Sequence, residues 1–559
     1  MGQEEGSFPE HLFDEDYRLR AKKTLTIATY VVLLFPVVSV GYDLTAPLLT
    51  GTLPTVLTAE PPIRRPGTQS CKLILLENQT FASGVNQPFF GHYAPPTSCQ
   101  PPWSMIVLDW NGTVPISQYD HVGGVWVGPS EIFRFTTPET GGQRWHVEKD
   151  VSEYAGLLAQ NQTVKILISA PSGKMFASAS LTFYLTNSVN PVISHPTIIV
   201  GVVNSGPIPW FGIGRDALAS QNISLPVNIE KAYFELYATA HSCDETWFSS
   251  NLVPNTSCSG PNSRESFREI QILIDETLVG VIWPFPLIYM GGLGSDLWES
   301  IPPVNALNIP PYLIDLTPFI GILGDGKAHG LAIQVTNNHG YWLVDGNLLL
   351  SLDSSNRTTG KLVNYSIARS ATLEVAPLWP FETSANRKIN ISGYVNTSTG
   401  QITTEVQQNM FFNDNLVPNI LDLSADLMAN VVVTTTTTII APNGTTFRTA
   451  IDSYGVTIRE GLPAKSGPVG ILTTYTVDQV SAHTSKTNTG SNDLSQTYVV
   501  DIIHAEHAGL TSEHYVANRN VCSNHYIGVL LGSITSDVNS TVCPKIAASV
   551  SLQILPIVG

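Results

Sequence analysis

Basic charge is scarce in this chain. It has 28 Lys and Arg against 45 Asp and Glu, a formal charge of −17. A nucleic-acid binder needs a basic face to neutralise phosphates, so that class is excluded. Charge of either sign is thin, at 13 % of residues, while hydrophobic residues reach 43 %. A neutral substrate such as a sugar remains compatible. Helical heptads are missing. There is no G-x-S-x-G, which argues against a nucleophile-elbow hydrolase. There is no C-x-x-C and no H-E-x-x-H, and His504, His507, His514 and His525 are scattered, so no metal is expected. Gly212-Ile-Gly214 lacks the strand and helix of a dinucleotide loop, and no cofactor is expected. Cysteine is limited to six residues in three local pairs. Disulfides Cys71–Cys99, Cys243–Cys258 and Cys522–Cys543 would close loops of roughly 15–30 residues, each adding about 3 kcal/mol.

Only one long apolar run occurs, Leu25 to Val40, behind the basic flank Arg18-Leu-Arg-Ala-Lys-Lys23. The basic side stays cytoplasmic. The reading is an uncleaved signal anchor, giving a type II membrane protein with its bulk lumenal or extracellular, or a secreted protein if Ser39-Val-Gly41 is cleaved. Eleven N-x-S/T sequons, from Asn78 to Asn539, support passage through the secretory route.

What is present is β pattern. Runs alternate at period 2 between turn residues. Ser104–Trp110, Ser117–Val127, Glu131–Glu139, Val164–Ile168 and Ser178–Tyr184 read as strands, with one helical turn at Val151–Leu158. Residues 186–226 read as a linker and an irregular entry to the second β unit. Ala232–Ala240 is a strand, and Ile270–Ile274 and Leu278–Ile282 form a hairpin around Asp275-Glu-Thr277. Tyr312–Pro318, Leu331–Val335 and Tyr341–Asp353 complete a second unit, with Asp325-Gly326 and Asp345-Gly346 as turn dipeptides. The run Thr434–Thr438 reads as an exposed strand.

Acid chemistry is what remains for a site. Asp120 stands at a strand start. His241-Ser-Cys-Asp-Glu245-Thr-Trp247 follows a strand end, where β proteins place variable functional loops on a rigid scaffold. Arg268 and Glu269 read as a pair supporting that site, with a solvated strand face as the plain alternative.

Several strings resemble the peptide-N-glycosidases, which cleave N-glycans from asparagine. They are Tyr119-Asp120 before an alternating strand, Phe133-Arg-Phe-Thr-Thr-Pro138, and EKDVSEYAGLL at 148–158. The run FREIQILIDETLVGVIWPFPLIYMGGLGSDLW and the later IDLTPFIGILGDGKAHGLAIQV and YWLVDGNLLLSLD look like the plant and fungal peptide-N-glycosidase A branch. The resemblance covers roughly residues 60–355.

It implies catalytic Asp120 and Glu245, with Asp244 as the neighbour able to replace Glu245. Substrate contacts would come from Tyr119, His121, Trp126, Trp247, Glu269 and Trp283. His121 stands where the bacterial relatives have an arginine, and Ser169 where they have a further acid. The implied fold is all-β: two adjacent antiparallel jelly-roll-like β-sandwiches, a C-terminal β-rich region and an N-terminal hydrophobic anchor helix. The corresponding parts are a tail at 1–23, anchor at 24–42, linker at 43–65, sandwiches at 66–190 and 191–355, and a C-terminal domain at 356–559. The implied reaction hydrolyses the amide joining asparagine to N-acetylglucosamine in N-glycosylated peptides and proteins. A glycan-binding module and a glycosidase cutting within the sugar are the alternatives. Oligomeric state is not legible.

Overall fold

A computed structural model describes Thr55–Val56 and residues 63–540. Residues 250–265, 290–304, 377–381, 420–423 and 462–472 and some single or paired positions are outside it, and side chains are described as far as Thr457. The expected anchor, Cys258, the side chain of Cys522 and Cys543 therefore lie outside the described residues. Among the described residues no helix is long and apolar enough to cross a membrane.

The chain is all-β. Its first unit has two sheets. One runs in the order Thr55–Val56, Gln143–Asp150, Trp103–Val114, Met175–Leu185, Ser70–Phe81; the other is Phe89–Tyr93, Gln162–Ile168, Val122–Val127, Ser130–Thr136. Buried Trp110, Trp145, Phe133 and Phe135 fill the space between them. Trp110 and Phe135 have ring centroids 4.5 Å apart. Burying one such ring contributes about 1.5–3 kcal/mol. The disulfide Cys71–Cys99 forms as expected. The helical turn is there too, as a 3-10 turn at Ser152–Tyr154 running into Ala155–Leu158. The strand expected from Ser117 begins only at Val122, which leaves Asp120 on the rim before it.

The second unit repeats the plan. One sheet has the order Ile198–Val202, Tyr341–Leu352, Ile229–His241, Tyr312–Asp315, with Phe211–Ile213 also on Tyr341–Leu352. The other is Leu218–Ser224, Ala328–Thr336, Glu269–Ile274, Thr277–Ile282. Three of these strands lie in 186–226, so the linker reading is corrected; its short strands are broken by Pro and Gly. The expected hairpin forms, with φ of 47° at Asp275 and 66° at Glu276. Two left-handed residues make the tight turn whose twist suits paired strands. Asp345-Gly346 is not a turn. It sits mid-strand, where a Cβ on Gly346 would stand 2.5 Å from the Glu235 carbonyl oxygen.

The third part is an antiparallel sheet of eleven strands, from Thr359–Ile367 to Ser533–Ser540. Thr434–Thr438 lies inside Ser424–Ala441 as expected, but half-buried rather than exposed. The first strands of this sheet share one core with the second unit through Ile389, Ile391, Met410 and Phe412.

Polar side chains hold the first two units together. Arg134 reaches both Glu131 oxygens, at 3.0 and 2.7 Å, and Asp345 at 2.9 Å. Trp126 donates to Asp345 at 2.9 Å, and Lys149 donates to the Tyr237 hydroxyl at 2.6 Å. A buried pair of this kind fixes relative orientation more than it adds stability.

Candidate active site

The site forms where the two units meet at their rims. On the first, the segment 118–121 is laced to the chain leaving Ser130–Thr136. The Thr137 N–H donates to His121 O at 3.0 Å, His121 N–H to Thr137 Oγ1 at 2.9 Å, and Gln118 N–H to Glu139 O at 2.8 Å. This holds Asp120 half-buried without putting it in a strand.

On the second unit, strand Ile229–His241 ends in the 3-10 turn Ser242–Asp244. Ser242 takes φ 59°, reversing the chain sharply. Asp244 is fully buried and anchors the turn. Its Oδ1 accepts from Arg268 at 2.8 Å and His339 N–H at 3.0 Å, and its Oδ2 from Trp342 at 2.7 Å. Burial raises the Asp244 carboxyl, but the Arg268 charge and these donors outweigh it and hold it below the usual range. Gly340 lies against the back of the turn, where a Cβ would stand 2.2 Å from His241 O and 2.8 Å from Asp244 N. Glu245 follows, half-buried and free of that anchoring. The turn is also tied by Cys243, which is in a disulfide.

The charge of Asp120 acts on Glu245 across this rim. Burial pushes Asp120 up to about 7. Burial, then the charges of Asp120 and Glu139, pushes Glu245 well above the ordinary range. Among the described residues neither has an ion pair. Two like-charged carboxyls in a poorly solvated place cannot both ionise easily, so one keeps its proton. The surrounding bases stay neutral. His121 Nε2 accepts the Ser172 N–H at 3.0 Å, and burial lowers its pKa to about 4. Burial and the Arg134 charge lower His241 to about 3. His241 is stacked between Tyr341 and Tyr289, with centroids 5.3 and 6.3 Å away.

The other expected contacts divide sharply. Tyr119 is 51 % exposed beside Asp120. Trp126, Trp247 and Trp283 are 1 %, 3 % and 3 % exposed, which corrects their reading as substrate contacts. The Trp126 N–H is taken by Asp345 and that of Trp283 by Glu269, while Trp247 packs on Phe248 and Phe412. Glu269 is also corrected. It does not pair with Arg268 or face substrate; Arg387 of the third sheet holds it at 2.8 and 3.0 Å. The aromatic flank Tyr289, Tyr341 and His241 was missed. Tyr289 and Tyr341 come from distant segments; the pairing of His241 with Tyr341 and the bond from the Tyr289 hydroxyl to Ala240 O, 3.2 Å, bring them to one strand end.

Among the described residues one group could offer metal ligands, Asp109, His146 and Glu148, on neighbouring strands of the first unit. Arg65 pairs with Glu148 and His146 sits 3.0 Å from Asp109.

Residues 61–368 match the family described as peptide N-acetyl-beta-D-glucosaminyl asparaginase amidase A. The chain belongs to this family. It is 32 % identical, over 405 residues, to peptide-N4-(N-acetyl-beta-glucosaminyl)asparagine amidase A of Prunus dulcis, covering 66 % of this chain and 70 % of the relative. Among solved structures, PNGase F, a glycosylasparaginase from Flavobacterium meningosepticum, is 16 % identical, with a TM-score of 0.34, covering 51 % of this chain and 96 % of the other. PNGF-II is 12 % identical, with a TM-score of 0.37, covering 51 % and 66 %. At such scores nothing of the site is transferred from them. The amidase A match takes in both units and so both Asp120 and Glu245.

Proposed function

We propose that this amidase A family member hydrolyses the amide between an asparagine side chain and the innermost N-acetylglucosamine, with Asp120 as base and Glu245 as acid. The observation that carries the assignment is the pair of half-buried carboxyls at the rim, one from each unit, both raised by burial. Ionised Asp120 takes a proton from water as the water oxygen bonds to the amide carbon. Protonated Glu245 gives its proton to the departing nitrogen as the C–N bond breaks. The products are an aspartate and a glycosylamine, which then loses ammonia. Asp120 ends protonated and Glu245 ionised, and one proton returned between them resets the site. Tyr119, with its exposed ring, is placed to stack on a sugar face.

The paired sheets of each unit support the reading of two jelly-roll-like sandwiches at 66–190 and 191–355, followed by the domain at 356–559. The apolar run 25–40 behind its basic flank supports an anchor with the catalytic part lumenal, or secretion after cleavage. The test incubates the full chain with an N-glycopeptide and weighs the products. A peptide carrying aspartate in place of asparagine supports the reading. A peptide retaining one sugar identifies a glycosidase, and binding without turnover identifies a glycan-binding module.

A further inference from the structure

Two side chains flanking Asp120 leave their own segment and bond the same neighbouring loop. Gln118 Oε1 accepts the Gly173 N–H at 2.8 Å, and His121 Nε2 accepts the Ser172 N–H at 3.0 Å. The Ser172 hydroxyl lies 3.1 Å from the same ring nitrogen. The loop that receives them joins strand Gln162–Ile168 of one sheet to Met175–Leu185 of the other. Backbone bonds fix that loop in turn, from Ser169 N–H to Val122 O at 2.8 Å and from Gly84 N–H to Pro171 O at 2.6 Å. Gly173 leaves room for the contact, since a Cβ there would stand 3.2 Å from Gln118 Oε1.

The bond from Ser172 N–H needs an uncharged imidazole. A neutral histidine has one accepting ring nitrogen, whereas both donate in the charged form. Burial keeps the His121 ring neutral, with its pKa lowered to about 4. Nε2 is therefore the accepting nitrogen, and the loop engages it. From the other side Thr137 and the Glu139 carbonyl hold the backbone of the same segment. Asp120 thus lies between two clamped neighbours, one residue from His121 and two from Gln118.

We propose that His121 is a positioning residue of the site: its Nε2, together with Gln118 Oε1, clamps the segment bearing Asp120 to the loop at Ser172 and Gly173, and so sets where the Asp120 carboxyl stands against the scissile amide. This rests on the amidase reading above. A reacting group displaced by about 1 Å can lose on the order of 100-fold in rate, so a clamp on each side of Asp120 acts on kcat.

The test uses the full chain with His121→Leu and His121→Gln, and an N-glycopeptide as substrate. Glutamine can place an amide oxygen where Nε2 stands and so keep the acceptor, while leucine removes it. His121→Leu should lower kcat by roughly 100-fold with KM changed by less than about threefold. His121→Gln should restore most of kcat. Gln118→Leu should lower kcat in the same sense, because it frees the same segment at its other end. A raised KM with kcat unchanged would make His121 a substrate contact and overturn the proposal. An equal loss in His121→Leu and His121→Gln would overturn it as well.

A second measurement needs no turnover. Amide hydrogen exchange, read by mass spectrometry on peptides spanning 118–121 and 171–175, should quicken in both for His121→Leu and stay slow for His121→Gln. Unchanged exchange in His121→Leu overturns the clamp. Failure of wild type to release an aspartate peptide, with this exchange response intact, would instead remove the amidase reading and leave the clamp standing. Should His121→Leu not fold, His121→Asn, whose amide oxygen falls one bond short of Nε2, supplies the same comparison against His121→Gln.

Discussion

Asp244 and Glu245 are adjacent in sequence and opposite in environment. Asp244 is locked by Arg268 at 2.8 Å, Trp342 at 2.7 Å and the His339 N–H. Glu245 has no ion pair among the described residues and feels the charge of Asp120. The first residue makes the turn, and the second uses it. An acidic pair in a sequence cannot tell these roles apart, because they depend on Arg268 and Trp342, far along the chain.

Asp244→Asn should therefore damage folding as well as activity. It removes the charge that Asp244 sets against the buried Arg268 guanidinium. Breaking a buried pair in this way costs about 3–5 kcal/mol. Denaturant unfolding of variant and wild type checks it. Unchanged stability would mean that Arg268 has another anionic partner.

Glu269→Gln should behave differently. It breaks the buried pair with Arg387 and so loosens the second unit from the third sheet, at a cost of about 3–5 kcal/mol. Glu269 does not reach Asp120 or Glu245, so kcat of the folded fraction should hold. A large fall in kcat with a normal melting curve would return Glu269 to the site.

The sequence carried the local signals and lost the long-range ones. The hairpin at Asp275-Glu276 and the turn at Ser152–Leu158 were legible, since both depend on residues within a few positions. So was the Cys71–Cys99 pair. Trp126, Trp247 and Trp283 were misread because an indole suits a sugar platform and a core equally well. What decides is the partner of the N–H, and Asp345 lies 219 residues from Trp126. The strands within 186–226 were missed because they are short and pair with Tyr341–Leu352 and Ala328–Thr336, much later in the chain. Asp345-Gly346 has turn composition, but its acid is held by Arg134 from the other unit.

Gly340→Ala tests how finely the turn is set. The added methyl would meet His241 O and the Asp244 and Cys243 N–H groups at 2.2, 2.8 and 2.9 Å. These are backbone atoms, so the turn itself must shift. A displacement of about 1 Å at a reacting group can cost on the order of 100-fold in rate. The expected result is a large fall in kcat with KM changed little. Normal kcat would mean that the turn moves without carrying Glu245.

The two candidate carboxyls should cost the protein stability in a way that pH exposes. Asp120 has its carboxyl raised to about 7 when folded, against about 4 when unfolded. Below about 4 it is neutral in both states and has no effect on folding. As pH rises from there the unfolded chain releases the proton first, so the charged form increasingly favours unfolding. Above about 7 the penalty is complete. Glu245 acts in the same direction and over a higher range, because its value is raised well above normal. Asp120→Asn and Glu245→Gln remove these charges at nearly constant volume. Each should raise Tm at pH 8, with little change at pH 4, while kcat falls by roughly 100-fold or more. A residue that merely caps a turn would do the reverse. Its loss would lower Tm by the equivalent of about 1 kcal/mol and leave the rate of the folded fraction intact. Melting curves at both pH values, with glycopeptide cleavage measured on the same preparations, separate the two. Near-normal turnover in Asp120→Asn would remove Asp120 as the base.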